Sequence, residues 1–478
     1  MQETIVPQAL ILSTSPSLKD LALLSLLELL ETLVTTNTVS FADLHTALIG
    51  RLPAGSDNVG SKTAVANLAK CVAAITRAAS EDDRNSTING LIRTLGETEN
   101  SLMLQLSLLT TGEIGERINL NQIGDSATRL HSIYMKFLDD NNEDTKAAAA
   151  YALGHAAVGC KEVFLSPILN AFEDSPQKKQ YLLLSSLKEV VKCHQANGAD
   201  LSASVSVILP HLIGHFDTPE DGVRKMVADC MGALCCLQPQ EVLPKLQELC
   251  LAHMGKPAKV GDTDLVSKDS AVCWTIATSI KNSIAHKPAP SNFAPYMPTF
   301  LQILKEEDLS VKLASLLMVY SAVHHTPQLL SAHMKEQVVP TLYELAQLNL
   351  KRVVDLGPFK HTVDDALPLR KAALSIFSTS LENCPESVDI NAFMPILAKC
   401  CDDVEDVQLQ AHHIIISMCS RHPEALAISA DSFVEPLEKT MNKKKGNKAG
   451  TELERVYEWI KSALRVMLAM SQVEIIMK

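Results

Sequence analysis

The sequence predicts an all-α HEAT-repeat fold: a right-handed solenoid of about ten antiparallel helix pairs with one projecting β-hairpin. Three observations point there. The apolar content is aliphatic, since 46% of the 478 residues are hydrophobic but only 4% are aromatic. Chains rich in Ala and Leu favour helix. One phrase recurs, running from an acidic turn through a Val/Leu–Lys/Arg pair into a small-residue apolar stretch. Its basic anchors are also regularly spaced: Lys146 to Arg224 is 78 residues, two units of 39, and Arg224–Lys268 and Lys268–Lys312 are 44 each. These periods bracket those of HEAT-type helix pairs.

The elements follow in order. A leading helix is expected at Leu18–Val34, interrupted by Lys19, Asp20, Glu28 and Glu31 and so not a membrane span. The repeated phrase covers Asp139–Gly159, Asp217–Leu237, Glu306–His325 and Asp364–Cys384, with a weaker copy at Asp402–Cys419. Each copy opens with acids, which suit the positive end of a helix. Its Ala and Gly let a neighbouring helix come close. The first helix of several pairs carries proline near a Leu-rich turn (Pro244, Pro298, Pro395), where the helix is expected to end or kink. Neither helix of a pair can bury its apolar face alone, so neighbours must stack. Pro257–Asp264 reads as a polar loop and Asn442–Gly450 as a basic, solvated connection. The organisation expected is a HEAT array over 1–340 and C-terminal repeats over 341–478, with the hairpin at about 351–363.

That hairpin rests on the one gap in the spacing. Lys312 to Arg370 is 58 residues, one unit plus an insertion. Within it, Lys351–Leu356 is rich in β-branched residues and Phe359–Val363 alternates, with Gly357-Pro358 between them as a turn signal.

Charge and composition exclude several functions. A net charge of −12 without a long basic stripe speaks against nucleic acid and anionic membrane as partners. The 12 cysteines include the adjacent pairs Cys235–Cys236 and Cys400–Cys401 but no C-x-x-C. They read as reduced, small apolar residues of a reducing compartment. Met1-Gln-Glu-Thr lacks the basic start of a secretory leader. His211 and His215 have i, i+4 spacing on a predicted helix, but Leu212 stands where a zinc protease needs Glu, so a surface pair is expected. The neighbours His324–His325 and His412–His413 diverge by about 100° on a helix and cannot easily chelate one ion. No nucleophile sits on a strand-to-helix turn. No catalytic residue, cofactor or metal is expected. Composition alone gives a helical-repeat interaction scaffold.

Several phrases are more specific. Gly357–Asp365 followed by Leu369–Ala373 is the strongest, with Gln180–Val190, Gly112–Gly115, Ala149–Gly154 and Phe433–Leu437 in supporting order. Together they resemble the C-terminal part of the cullin-associated, neddylation-dissociated proteins, also described as TATA-binding-protein-interacting proteins, from about Gln8 to Val473. The resemblance implies a cytoplasmic and nuclear protein that binds an un-neddylated cullin and competes with adaptor and substrate-receptor modules. It would thereby regulate the assembly of cullin–RING ubiquitin ligases. It also implies that the hairpin, Leu356, Gly357, Pro358, Phe359, Lys360, His361 and Thr362, meets the cullin's N-terminal region at the adaptor's place. Phe359 would be its anchor. Asp364, Asp365, Asp402 and Asp403 lie nearby and are expected to steer association. Family members are longer, so the chain is expected to be a fragment, or a split version whose N-terminal half is a separate partner chain. The competing readings are a transport or phosphatase scaffold of the same architecture and, in a different class, an enzyme.

Overall fold

A computed structural model describes residues 2–53, 59–197, 201–256, 267–355, 360–443 and 450–473. The chain divides into two compact units, Met1–Ile213 and Gly214–Lys478.

In the first unit, helices Asp20–Thr35, Val59–Ala78, Ser101–Arg117, Glu143–Gly159 and Gln177–Asn197 stack side by side in one row. A second row, including Glu81–Glu97, Ser126–Phe137 and Lys161–Asp174, pairs with it. Sequence explains why the first row packs so closely. A Cβ on Gly154 would lie 2.4 Å from the Ser186 carbonyl oxygen, and one on Gly112 would lie 2.6 Å from Ala152 Cα. Backbones that near leave no room for a side chain. The N-termini are closed by Asn100 and Asn142, whose side chains accept from the second and third helical N–H groups.

The second unit repeats the plan. Asp221–Leu237, Lys268–Ala285, Leu309–His325, Leu367–Asn383, Glu405–Arg421 and Thr451–Ser471 stack in sequence. Pro239–His253, Ile390–Cys400 and Asp431–Met441 are among their partners. Ser267 and Asp308 cap their helices. Each unit is therefore an α-solenoid, as the periodicity predicts. The core runs along each stack, filled by residues such as Phe172, Leu187, Phe377 and Ile415, all buried. Ten of the cysteines are buried, Cys236 and Cys419 are half-buried, and all are free thiols.

One expectation is narrowed and one corrected. Of the two outcomes expected at proline, an end or a kink, Pro244 and Pro395 do not end their helices but lie inside Pro239–His253 and Ile390–Cys400. Each forfeits one backbone hydrogen bond that stacking on the neighbouring helices offsets. His211 and His215 do not share a helix, because Ser202–Ile213 ends between them and His215 falls in the following turn. The loop at Pro257–Asp264 lies outside the described residues, as does most of Asn442–Gly450.

Candidate partner-binding hairpin

The overlong repeat carries an antiparallel two-stranded hairpin. Strand β1, Lys351–Asp355, pairs with β2, Lys360–Asp364, with Lys351 opposite Asp364 and Val353 opposite Thr362. The expected bounds are met to within about a residue at each strand end. Val353 is 65% exposed and its cross-strand neighbour Thr362 is also exposed, so this face is not packed on the helices. Leu356, Gly357, Pro358 and Phe359 lie outside the described residues. Lys360 and His361 are placed in β2 by their backbone, and their side chains lie outside the described residues.

A lone two-stranded hairpin is marginal in water. Here a buried guanidinium fixes its base. Arg370, 2% exposed in the first turn of Leu367–Asn383, donates 2.8 Å to the Leu348 carbonyl just before β1. It also donates 2.8 Å to Asp364 at the end of β2 and 3.1 Å to Asp403 in the turn after Ile390–Cys400. Asp364 in turn accepts the Ala366 N–H at 3.1 Å. The hydrogen bond from Arg370 holds the Asp364 carboxyl below the usual range, which keeps it ionised. Arg352 and Asp365 close the base from outside through a 2.5 Å contact.

The four acids named from sequence are thus brought to one region, and each faces a cation of this chain. Asp364 and Asp403 share Arg370, Asp365 meets Arg352, and Asp402 meets Lys439 of the next repeat. Sequence reading used Arg370 only as a spacing marker and missed this clamp. The available signal was a basic residue at a core-facing helical position six residues after an acid. Beside the clamp opens a pocket of about 490 Å³, whose wall includes Gln347, Asn349, Lys351 and Lys399.

Residues 329–477, which include the hairpin and the clamp, match the family model described as "TATA-binding protein interacting (TIP20)". Across 99% of its length the chain is 33% identical to cullin-associated NEDD8-dissociated protein 1 of Arabidopsis thaliana, of which it covers 38%. The chain belongs to the cullin-associated NEDD8-dissociated family. Within that family, it is 30% identical over 84% of its length to protein 2 of Rattus norvegicus, covering 30% of that relative. It is 27% identical over 79% of its length to "Cullin-associated NEDD8-dissociated protein 1, C-terminal part" of Emericella nidulans, covering 35% of it. The chain therefore spans well under half the length of these family members. Among solved structures it is similar to Kap95p solved with RanGDP, with a TM-score of 0.58 over 99% of this chain and 57% of that one. At 12% identity this is a likeness of fold alone.

This family member holds a second polar cluster that sequence reading did not single out. In the first unit, Glu116, His155 and Cys193 bring a carboxylate oxygen, a ring nitrogen and a sulfur within 4.8 Å of one another. A metal would need the in-plane lone pair of one ring nitrogen. Both nitrogens already face carboxylates: Nδ1 lies 2.9 Å from Glu116 Oε2 and Nε2 lies 3.5 Å from Glu189 Oε2. The sulfur is 3.9 and 3.8 Å from the two nitrogens, so it sits between their lone-pair axes and on neither. The geometry is that of an imidazolium held between acids, with Tyr151 stacked on the ring at 4.0 Å. Burial alone would lower the His155 pKa, but contacts with Cys193, Glu116 and Glu189 outweigh it and raise it to about 11. The cluster joins helices Ser101–Arg117, Glu143–Gly159 and Gln177–Asn197.

Proposed function

We propose that this chain is a cullin-binding scaffold, not an enzyme, and that its hairpin meets the N-terminal region of an un-neddylated cullin. There it competes with the adaptor and substrate-receptor module and so regulates the assembly of cullin–RING ubiquitin ligases. The observation that carries this reading is the clamped hairpin, a projecting element fixed by buried Arg370 within the stretch that matches the family model. A rigid base lets the element bind without the ordering cost of a flexible loop. The residues proposed to make contact are Leu356 to Thr362, with Phe359 as anchor, since aromatic side chains seated in pockets dominate interfaces. Asp364, Asp365 and Asp403 serve chiefly to hold the hairpin, Asp402 pairs with Lys439 of the next repeat, and the residual field of the four sets association rate more than affinity.

A second partner is proposed at the other end. Leu21 is 79% exposed, Leu24 59% and Ile11 52%, giving the first helices an apolar face of the kind that repeats bury against one another. We infer that further repeats of the same family, on this or a separate chain, stack there. On this reading we propose that the protein works in the cytoplasm and nucleus.

The test is competition. A cullin–RING core is incubated with adaptor and with either the intact chain or a form lacking Asp355–Thr362, both checked for equal helical content by circular dichroism. The intact chain should displace adaptor and the deletion should not. Equal displacement by both would refute the hairpin's role, and failure of the intact chain to bind cullin would refute the reading as a whole.

A further inference from the structure

Three successive helices of the second unit, Asp221–Leu237, Lys268–Ala285 and Leu309–His325, line a groove of about 490 Å³. That volume lies within the range of ligand pockets, roughly 300–1,000 Å³. Lys225 walls it from the first helix, Trp274, Lys281 and Asn282 from the second, and Leu313 and Leu317 from the third. The groove shares no residue with the hairpin or the Arg370 clamp, although its third helix packs on the one that carries Arg370, and the competition proposed above does not use it.

Its parts are held in place. The Arg224 guanidinium lies 5.5 Å over the Trp274 ring and is itself tied to the Thr218 carbonyl at 2.8 Å. Asn282 donates to Asp229 at 2.8 Å, fixing both at the wall. At that end a Cβ on Gly232 would come within 2.8 Å of Asn282 Cβ, so the two helices are pinned together there. Trp274 is nonetheless only half-buried, and Leu317 is 40% exposed.

The charge is what selects an occupant. The chain is acidic overall, and lysines such as Lys62, Lys179 and Lys371 each sit 2.6 Å from an aspartate. Lys225 and Lys281 have no carboxylate within salt-bridge distance among the described residues; other lysines such as Lys305 and Lys312 share that, but these two line one groove, together with Asp229, which Asn282 engages. Two ammonium groups against the single carboxylate of Asp229 leave a net positive charge beside the apolar floor, which complements carboxylates flanking an apolar side chain. A nucleic acid would bring a dense run of phosphates to a chain of net charge −12, which favours a short acidic peptide instead.

We propose that this groove binds an extended acidic segment of a partner protein. An aliphatic side chain rests on Trp274 and Leu317, and neighbouring carboxylates meet Lys225 and Lys281. The test uses fluorescence anisotropy of the full chain with two labelled peptides, one alternating glutamate with leucine and one alternating lysine with leucine. An unlabelled oligothymidylate serves as competitor. The acidic peptide should bind, and binding should weaken as salt rises. The double variant Lys225→Glu/Lys281→Glu should bind it at least about tenfold more weakly and should gain affinity for the basic peptide, with unchanged circular dichroism. Trp274→Ala should weaken the acidic peptide without creating affinity for the basic one. Failure of the acidic peptide to bind, equal binding by the double variant, or displacement by oligothymidylate as effective as by unlabelled acidic peptide would each overturn the proposal.

Discussion

Replacing Arg370 by alanine tests the clamp directly. Arg370 is 2% exposed and satisfies the Leu348 carbonyl, Asp364 and Asp403 at once. Removing one partner of a buried ion pair costs about 3–5 kcal/mol, because the charges left behind stay desolvated. The Asp403 side chain is 20% exposed and can partly rehydrate, whereas that of Asp364 is only 9% exposed. The low end, about 3 kcal/mol, is therefore expected. For a unit of this size that lowers the melting temperature by roughly 6–12 °C. The loss should be local, since each repeat supports only its neighbours. Native-state hydrogen exchange should show the cross-strand hydrogen-bonded amides within Lys351–Asp355 opening about a hundredfold faster, while those of the first unit are unchanged. Adding Asp364→Asn and Asp403→Asn should return part of the loss, because the acids no longer carry unpaired charge. Unchanged melting and unchanged exchange in the hairpin would refute the clamp as its anchor.

Three further outcomes follow from the two stacks. His155, raised to about 11, contributes stability that is complete below about pH 6.5 and fades as pH climbs towards its folded value; the urea stability difference between the intact chain and His155→Gln should shrink between pH 7 and pH 11, and a constant difference would deny the charged clamp. His412 is fully buried and burial lowers it to about 4, so the unfolded chain takes up the proton first and stability drains away as pH falls from about 6.5 towards 4; His412→Gln should flatten that acid limb, measured by thermal melts across the range. Gly154→Ala would place a Cβ 2.4 Å from the Ser186 carbonyl oxygen, forcing two helices apart at a cost of about 1–3 kcal/mol, whereas Gly90→Ala, with nothing within 4 Å, should not destabilise; equal denaturation midpoints for the two would contradict the close crossing.

Much of this protein is local and so was legible in its sequence. Helix and strand identity follow from composition and periodicity, and the repeat from anchors at Lys146, Arg224, Lys268 and Lys312. The hairpin was legible because an insertion breaks that period and carries alternating residues, as the pairing of Val353 with Thr362 bears out. The Ala and Gly of the repeated phrase, Gly154 among them, announced close helix contact before any partner was known, whereas the close approach at Gly112 was not read from sequence. What the sequence alone could not decide is which charges meet. Asp364, Asp365, Asp402 and Asp403 look alike as a string of acids, yet two of them share a buried guanidinium and two face surface cations. His155 itself went unnoticed in its alanine-rich helix until Glu116, 39 residues before it, and Glu189, on the next helix, closed on its two nitrogens. Lys225, Trp274 and Lys281 became one groove only when three helices stacked. The physical reason is the same in each case. Backbone preference acts over one or two turns and can be read along the chain, whereas the strength of an ion pair depends on distance and on excluded water, and both are set by helices that meet across 30 to 60 residues of sequence.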